Sequence, residues 1–198
     1  MTAGGGNQGN GEMATRIVGL VGNPRAESRT HHLARTLTRE LARVIPGALT
    51  AEVDLAPLAP QVLDPSAGAV VAGLEQVQAA DILVVASPTY KATYSGLLKA
   101  FLDRFGNRPL AGRAAVPVLL GGAPNHLLAA DVHFTPLLLE LGALVPARGL
   151  FVLESGVADF GEFAATWADA NAHLLLAASR AGASPFVTAS QRPEPIRP

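Results

Sequence analysis

Three short segments carry residues suited to holding a polar ligand. The first is GNPRAESRT, Gly22–Thr30, which joins an apolar run to a helical stripe. A helix start offers unpaired backbone N–H groups and a partial positive charge, and the two together bind anions. Asn23, Ser28 and Thr30 add neutral donors there, and Arg25 or Arg29 adds charge-assisted ones, a set suited to a terminal phosphate. The plainer reading has Ser28 capping the helix and both arginines solvated. The second segment is SPTYKATYSG, Ser87–Gly96. Pro88 fixes its own φ and removes a donor, which stiffens the loop. The backbone N–H groups of Thr89, Tyr90 and Lys91 are then expected to be free to face a planar polar ligand, with Tyr90 as an aromatic wall. The plainer reading is a loop leading into a helix, with Tyr94 in its core stripe. The third segment is GGAPNH, where Gly121 and Gly122 either let a ligand edge approach the backbone or simply serve a tight turn.

These segments need a scaffold that brings them to one place. IVGLV (17–21), ILVVA (82–86) and AAVPVLL (114–120) read as strands buried on both faces. Residues 49–55 alternate Leu49, Ala51, Val53 and Leu55 with Thr50, Glu52 and Asp54, the period of an edge strand with one solvated face. A fifth strand falls in 149–153. Between the strands, Leu33, Leu37, Leu41 and Val44 form one helical stripe. Tyr94, Leu97, Leu98, Phe101, Leu102 and Phe105 form a second, and Phe160, Phe163, Ala164, Trp167 and Leu174 mark a last helix. Residues 68–80 and 125–141 fill the two remaining helical slots.

Five strands alternating with five helices imply a three-layer α/β/α domain with a doubly wound parallel sheet. An edge position for the second strand favours the flavodoxin-like order 2-1-3-4-5, in which ligands bind beyond the carboxyl ends of the strands. All three polar segments follow strands, so all three fall at that end. Pro117 lies inside a central strand of this order, where its missing N–H predicts a bulge or local break.

Composition sets outer limits. The 198 residues are 49% hydrophobic and 16% charged, enough for one domain with a sizeable core. Fifteen basic and sixteen acidic side chains leave a formal charge of −1, without the basic excess of nucleic-acid binders. With no cysteine, disulfides, thiolate metal sites and a Cys nucleophile are excluded, and a cytoplasmic location is the default expectation. The opening MTAGGGNQGNGEMATR lacks the apolar core of a secretory signal. The longest apolar stretch, Leu137–Leu153, is interrupted by Glu140 and Arg148, so no membrane span is expected. Residues 1–13 and 183–198 are expected to be disordered extensions, with Met13 a candidate functional start, and 14–182 to form the domain. No HExxH or comparable metal spacing occurs. His31, His32 and His173 read as exposed helix residues without ligand-type neighbours, and His126 as a loop or cap residue. A Walker A motif and GxGxxG are both absent, which disfavours a P-loop NTPase or a dinucleotide domain of that type.

A phosphate pocket, a flat stacking pocket and a glycine edge at one end of a sheet outline a site for FMN. From about Arg16 to Ala178 the chain resembles the NAD(P)H-dependent FMN reductase family, in particular the reductases that feed alkanesulfonate-type monooxygenases. The resemblance rests on SPTYKATYSGLLKAFLDRF (87–105), on GGAPNHLLAADVHFTPLLLELGA (121–143) and on the loop GNPRAESRT. It implies that Arg25, Ser28 and Thr30 contact phosphate. It further implies that Pro88, Thr89, Tyr90 and Lys91 line the isoalloxazine and that Gly121 and Gly122 border its edge. Asn23 stands where the family has a serine, with an amide that can still donate to phosphate. The subgroup's extra residue in the fourth helix, often tyrosine in a π-type turn at a tetramer interface, corresponds to Val132, and His133 beside it is a candidate replacement for that aromatic function. Pro136 lacks the N–H that would bond the Val132 carbonyl, so a distorted turn is expected there.

The resemblance implies hydride transfer from NADPH or NADH to FMN, a reaction whose chemistry the cofactors carry, so no side chain is nominated as catalytic. Its implied partners are a flavin-dependent monooxygenase and further copies of the chain, as a homodimer or homotetramer. Two alternatives share the fold. One is a reductase that retains FMN and reduces a quinone, azo dye or metal oxyanion. The other is a flavodoxin-type electron carrier, against which the near-zero net charge and Arg25 speak.

Overall fold

The structure, a computed structural model, describes residues 14–182; the expectations for 1–13 and 183–198 lie outside it. Five parallel strands, β1 (Arg16–Val21), β2 (Leu49–Asp54), β3 (Ile82–Pro88), β4 (Ala114–Gly121) and β5 (Leu150–Leu153), pair in the order β2-β1-β3-β4-β5. The flavodoxin-like order expected from the apolar patterning is the one found. β1, β3 and β4 are central because their side chains are apolar on both faces. Each face buries them in its own core. Val18, Leu20, Leu83, Val85 and Leu119 pack on one side with α2 (Gly68–Gln78) and α3 (Gly96–Leu102). Ile17, Val21, Ile82, Val84 and Val118 pack on the other with α1 (Arg29–Val44) and a long final helix over Phe160–Gly182. Burying each such side chain is worth about 1.5–3 kcal/mol. β2 is the edge, and only toward its end, at Val53, is it buried.

Pro117 causes no bulge, contrary to expectation: the pairing of β3 with β4 runs unbroken through Val85↔Pro117. The Ala115 N–H donates to the Leu144 carbonyl, away from β3, and the amide of Pro117 two residues on faces the same flank. Pairing with β5 begins only at Val118↔Leu150, so the missing donor breaks no ladder bond, and the proline ring packs closely beside Gly149.

The fourth helical slot is subdivided. A 3₁₀ turn at Pro124–His126 leads to a π-helical turn at Ala130–Phe134, followed by α4 (Thr135–Glu140), which makes the final helix α5. The Thr135 N–H reaches back to the Ala130 carbonyl, five residues earlier. Pro136 cannot supply the next α-type bond, and the turn widens as its position predicts. The stripe from Tyr94 to Phe105 is helical only at its centre, since α3 starts after Ser95 and is capped at Asp103. Tyr94 instead packs on Phe134, ring centroids 5.3 Å apart, and Phe105 sits edge-on to Phe101.

Candidate functional site

The loops after β1 and β3 are fastened together by two buried serines. The Ser95 N–H donates to Ser87 Oγ (2.8 Å), and Ser87 Oγ donates to the Pro88 carbonyl (2.9 Å). Ser95 Oγ caps α3 by accepting from the Leu98 N–H, and it donates to the Gly22 carbonyl. Gly22 must be glycine for this approach, because a Cβ there would lie 2.6 Å from Leu98 Cβ.

Beyond Gly22 the chain is shaped by Asn23, which is 6% exposed. Its side-chain oxygen accepts from the Arg25 N–H (2.9 Å), and its amide donates to Thr30 Oγ1 (3.0 Å). Thr30 is fully buried beneath the loop, so it supports the turn through Asn23 and does not reach the cleft. Ser28 caps α1 by accepting from the His31 N–H, and its first turn holds no acidic side chain to offset the helix's positive pole. Glu27, at φ 48°, takes the left-handed region, a departure often retained where loops are functional. Arg25 is exposed, and Arg29 Nη2 donates to Glu154 Oε1 at 2.8 Å.

Two backbone donors expected to be free are engaged. The Thr89 N–H donates to the Leu120 carbonyl (2.7 Å) and the Tyr90 N–H to the Thr93 carbonyl (2.8 Å). Tyr90–Thr93 closes as a two-residue hairpin, with Lys91 at φ 52° and Ala92 at φ 69°, the signs of a type I′ turn. That turn holds the Tyr90 ring, 45% exposed, at the rim and carries Lys91 out into solvent. The Thr89 hydroxyl is buried with no hydrogen-bond partner, a donor in reserve beside the cleft.

These parts enclose a cleft of about 440 Å³ at the carboxyl end of the sheet. Seven of the ten expected residues line it: Asn23, Arg25, Ser28, Pro88, Thr89, Tyr90 and Gly122. Thr30, Lys91 and Gly121 do not. Gly121 is small for a packing reason, since a Cβ there would sit 2.3 Å from Phe151 Cζ. Ala26, Glu27, Arg29 and Leu120 complete the wall together with Glu154, which sequence reasoning missed. Glu154 follows β5, and no local signal reveals that β5 lies beside β4. The carboxyl groups held below their usual range, Glu40 by the hydrogen bond from Arg43 and Asp64 by those from Ser66, do not line the cleft.

One histidine departs from expectation. His31 is 4% exposed, and its Nε2 meets Glu52 Oε1 of β2 while Nδ1 lies 3.8 Å from Glu27 Oε1 and 4.0 Å from Asp54 Oδ2. His32 and His173 are exposed as expected. Among the described residues, no group of three or more His, Cys, Asp or Glu is placed to hold a metal.

A buried unpaired hydroxyl, a helix start without acidic residues, an aromatic rim and a glycine edge suit a phosphorylated planar ligand such as FMN. The sequence profile described as NADPH-dependent FMN reductase matches residues 15–158. The chain belongs to this family. An FMN reductase (NADPH) of Escherichia coli is 38% identical over 151 residues, 73% of this chain and 76% of the relative. An NADH-dependent FMN reductase of Pseudomonas fluorescens is 31% identical over 170 residues, 84% of this chain and 89% of that one. Among solved structures, the apo form of an NADH:FMN oxidoreductase superposes with a TM-score of 0.74 at 30% identity, covering 83% of this chain and 90% of the other. In this FMN reductase family member the cleft lies at the topological switch point of the sheet.

Proposed function

We propose that this protein is an NAD(P)H-dependent FMN reductase whose FMN occupies the cleft at the carboxyl end of the sheet. One observation carries the reading: a single cleft runs from the start of α1 to the Pro88–Tyr90 wall, so phosphate and ring sites are continuous. Ser28, Arg25 and the N–H groups of the first α1 turn bind the phosphate. Pro88 and Tyr90 fix the plane of the ring, and Gly122 admits its edge. FMN supplies the hydride-accepting ring and the nicotinamide the hydride; the chain supplies orientation and a field that favours negative charge. No protein side chain has to exchange a proton in the hydride step.

The reading extends to a flavin-dependent monooxygenase that takes the reduced flavin, and to a cytoplasmic setting. It extends also to self-association, supported by Leu127, Leu128, Val132 and Leu139, four large apolar side chains each more than half exposed around the π-helical turn. Among the described residues no helix is long and apolar enough to cross a membrane. The deciding experiment is a steady-state titration of FMN with NADPH and with NADH. Nicotinamide oxidation that rises from near zero and saturates with FMN is the expected result. Oxidation indifferent to added FMN on flavin-free protein would end the reading, and flavin that never dissociates would favour a reductase that retains it.

A further inference from the structure

Arg29 is the first residue of α1, where a cation opposes the helix's own positive pole, and it is held there by an acid from the far side of the sheet. Glu154 stands immediately after β5, and its Oε1 lies 2.8 Å from Arg29 Nη2. The side chains are 56% and 44% exposed, and both residues line the cleft. Glu154 also overlooks the glycine edge, since a Cβ on Gly122 would meet its carboxyl carbon at 3.9 Å. A carboxylate therefore occupies one of the two arginines that line the cleft and adds a negative charge to its wall. An ion pair so exposed is weakly held, and an incoming dianion competes for the same guanidinium.

We propose that Glu154 is a built-in competitor for Arg29 that lowers affinity for the phosphorylated flavin and so favours its release. The inference rests on the FMN reading and deepens it. Arg29 must leave Glu154 to reach the phosphate, and the freed carboxylate then faces a second anion across the cleft. Both effects act on the phosphate alone. The penalty thus falls on FMN and spares riboflavin, which has the same ring and no phosphate. In the empty protein the pair keeps Arg29 folded back and the pocket near electrical neutrality. Both effects are electrostatic in a solvent-exposed setting, so salt weakens them.

The test is equilibrium binding, read from quenching of flavin fluorescence, for FMN and for riboflavin on the wild type, Glu154→Gln, Arg29→Gln and the double variant. Glutamine keeps the size of Glu154 and one acceptor oxygen for Arg29 while removing the charge, and the 3₁₀ turn there is held by the backbone carbonyl of residue 154. The expected result is FMN bound about 3–10-fold more tightly by Glu154→Gln, with riboflavin changed less than about twofold. The gain should shrink in high salt, and it should be smaller when Glu154→Gln is added to Arg29→Gln, where no cation is released and only the repulsion between carboxylate and phosphate is relieved. Unchanged or weaker FMN binding by Glu154→Gln overturns the proposal, as does an equal change for riboflavin. Failure of the wild type to bind FMN at all would instead remove the functional reading and this inference with it.

Discussion

Adjacent glycines at the end of β4 do different work, and a single methyl group separates them. At Gly121 the added carbon would sit 2.3 Å from Phe151 Cζ, so the ring on β5 must move. Gly121→Ala is expected to lose about 1–3 kcal/mol of stability through this overpacking, measured as a lowered denaturation midpoint. At Gly122 the nearest atom is the Glu154 carboxyl carbon at 3.9 Å, so the fold accommodates the methyl and the cleft receives it. Gly122→Ala should leave the midpoint within about 0.5 kcal/mol of wild type while weakening FMN binding about tenfold. If the two variants exchanged phenotypes, the assignment of the flavin edge to this loop would be wrong. The sequence suggested both glycines by their place after a buried strand, but only packing against Phe151 separates them. Glu154 and the buried His31 escaped for the same reason: what gives each its role is a partner on another element, Arg29 of α1 for one and Glu52 of β2 for the other.

Elements were legible where one physical demand dominated. Runs such as ILVVA favour a strand buried on both faces, and the alternation of 49–55 favours an edge, which together point to the observed sheet order. A distorted turn in the fourth helical slot was legible too, because the family resemblance places the subgroup's extra residue at Val132 and a proline at 136 deletes one specific hydrogen bond. Pro117 misled because the cost of a missing N–H depends on which flank it faces, and that is decided by how far along β4 the short β5 begins to pair. The hairpin Tyr90–Thr93 was invisible because Lys and Ala do not announce left-handed backbone. That mismatch makes a prediction at the level of the turn. Ala92→Gly should relieve left-handed strain of about 1–2 kcal/mol, less part of glycine's added unfolded-state freedom. A net stabilisation of about 0.5–1 kcal/mol is expected, read as a raised urea midpoint at unchanged slope. A lower midpoint would show that neighbouring contacts, not the strained turn, set this region's stability.

At the scale of the molecule, the cleft is assembled from the ends of β1, β3, β4 and β5 and the start of α1, while the apolar surface lies apart on the segment that follows the β4 loop. Leu128 and Val132 are one turn apart, joined by the Val132 N–H to the Leu128 carbonyl, and each is 58% exposed. Exposed side chains of this size in one short stretch are costly in water unless another surface covers them, and a second copy of the chain offers an identical apolar stripe across a twofold axis. The π-helical turn suits that arrangement, because it presents Val132 to the surface while Phe134 stays wholly buried against Tyr94. Leu128→Lys places a charge where a partner's apolar side chains would lie, without touching the buried face of the turn. Sedimentation velocity should show wild-type protein as a dimer or larger assembly and the variant shifted toward monomer, with helical content and FMN binding in the cleft retained. A wild type that sediments as a monomer at all concentrations would overturn self-association through this stripe, and the proposed partner, a flavin-dependent monooxygenase, would then be the protein to test against it.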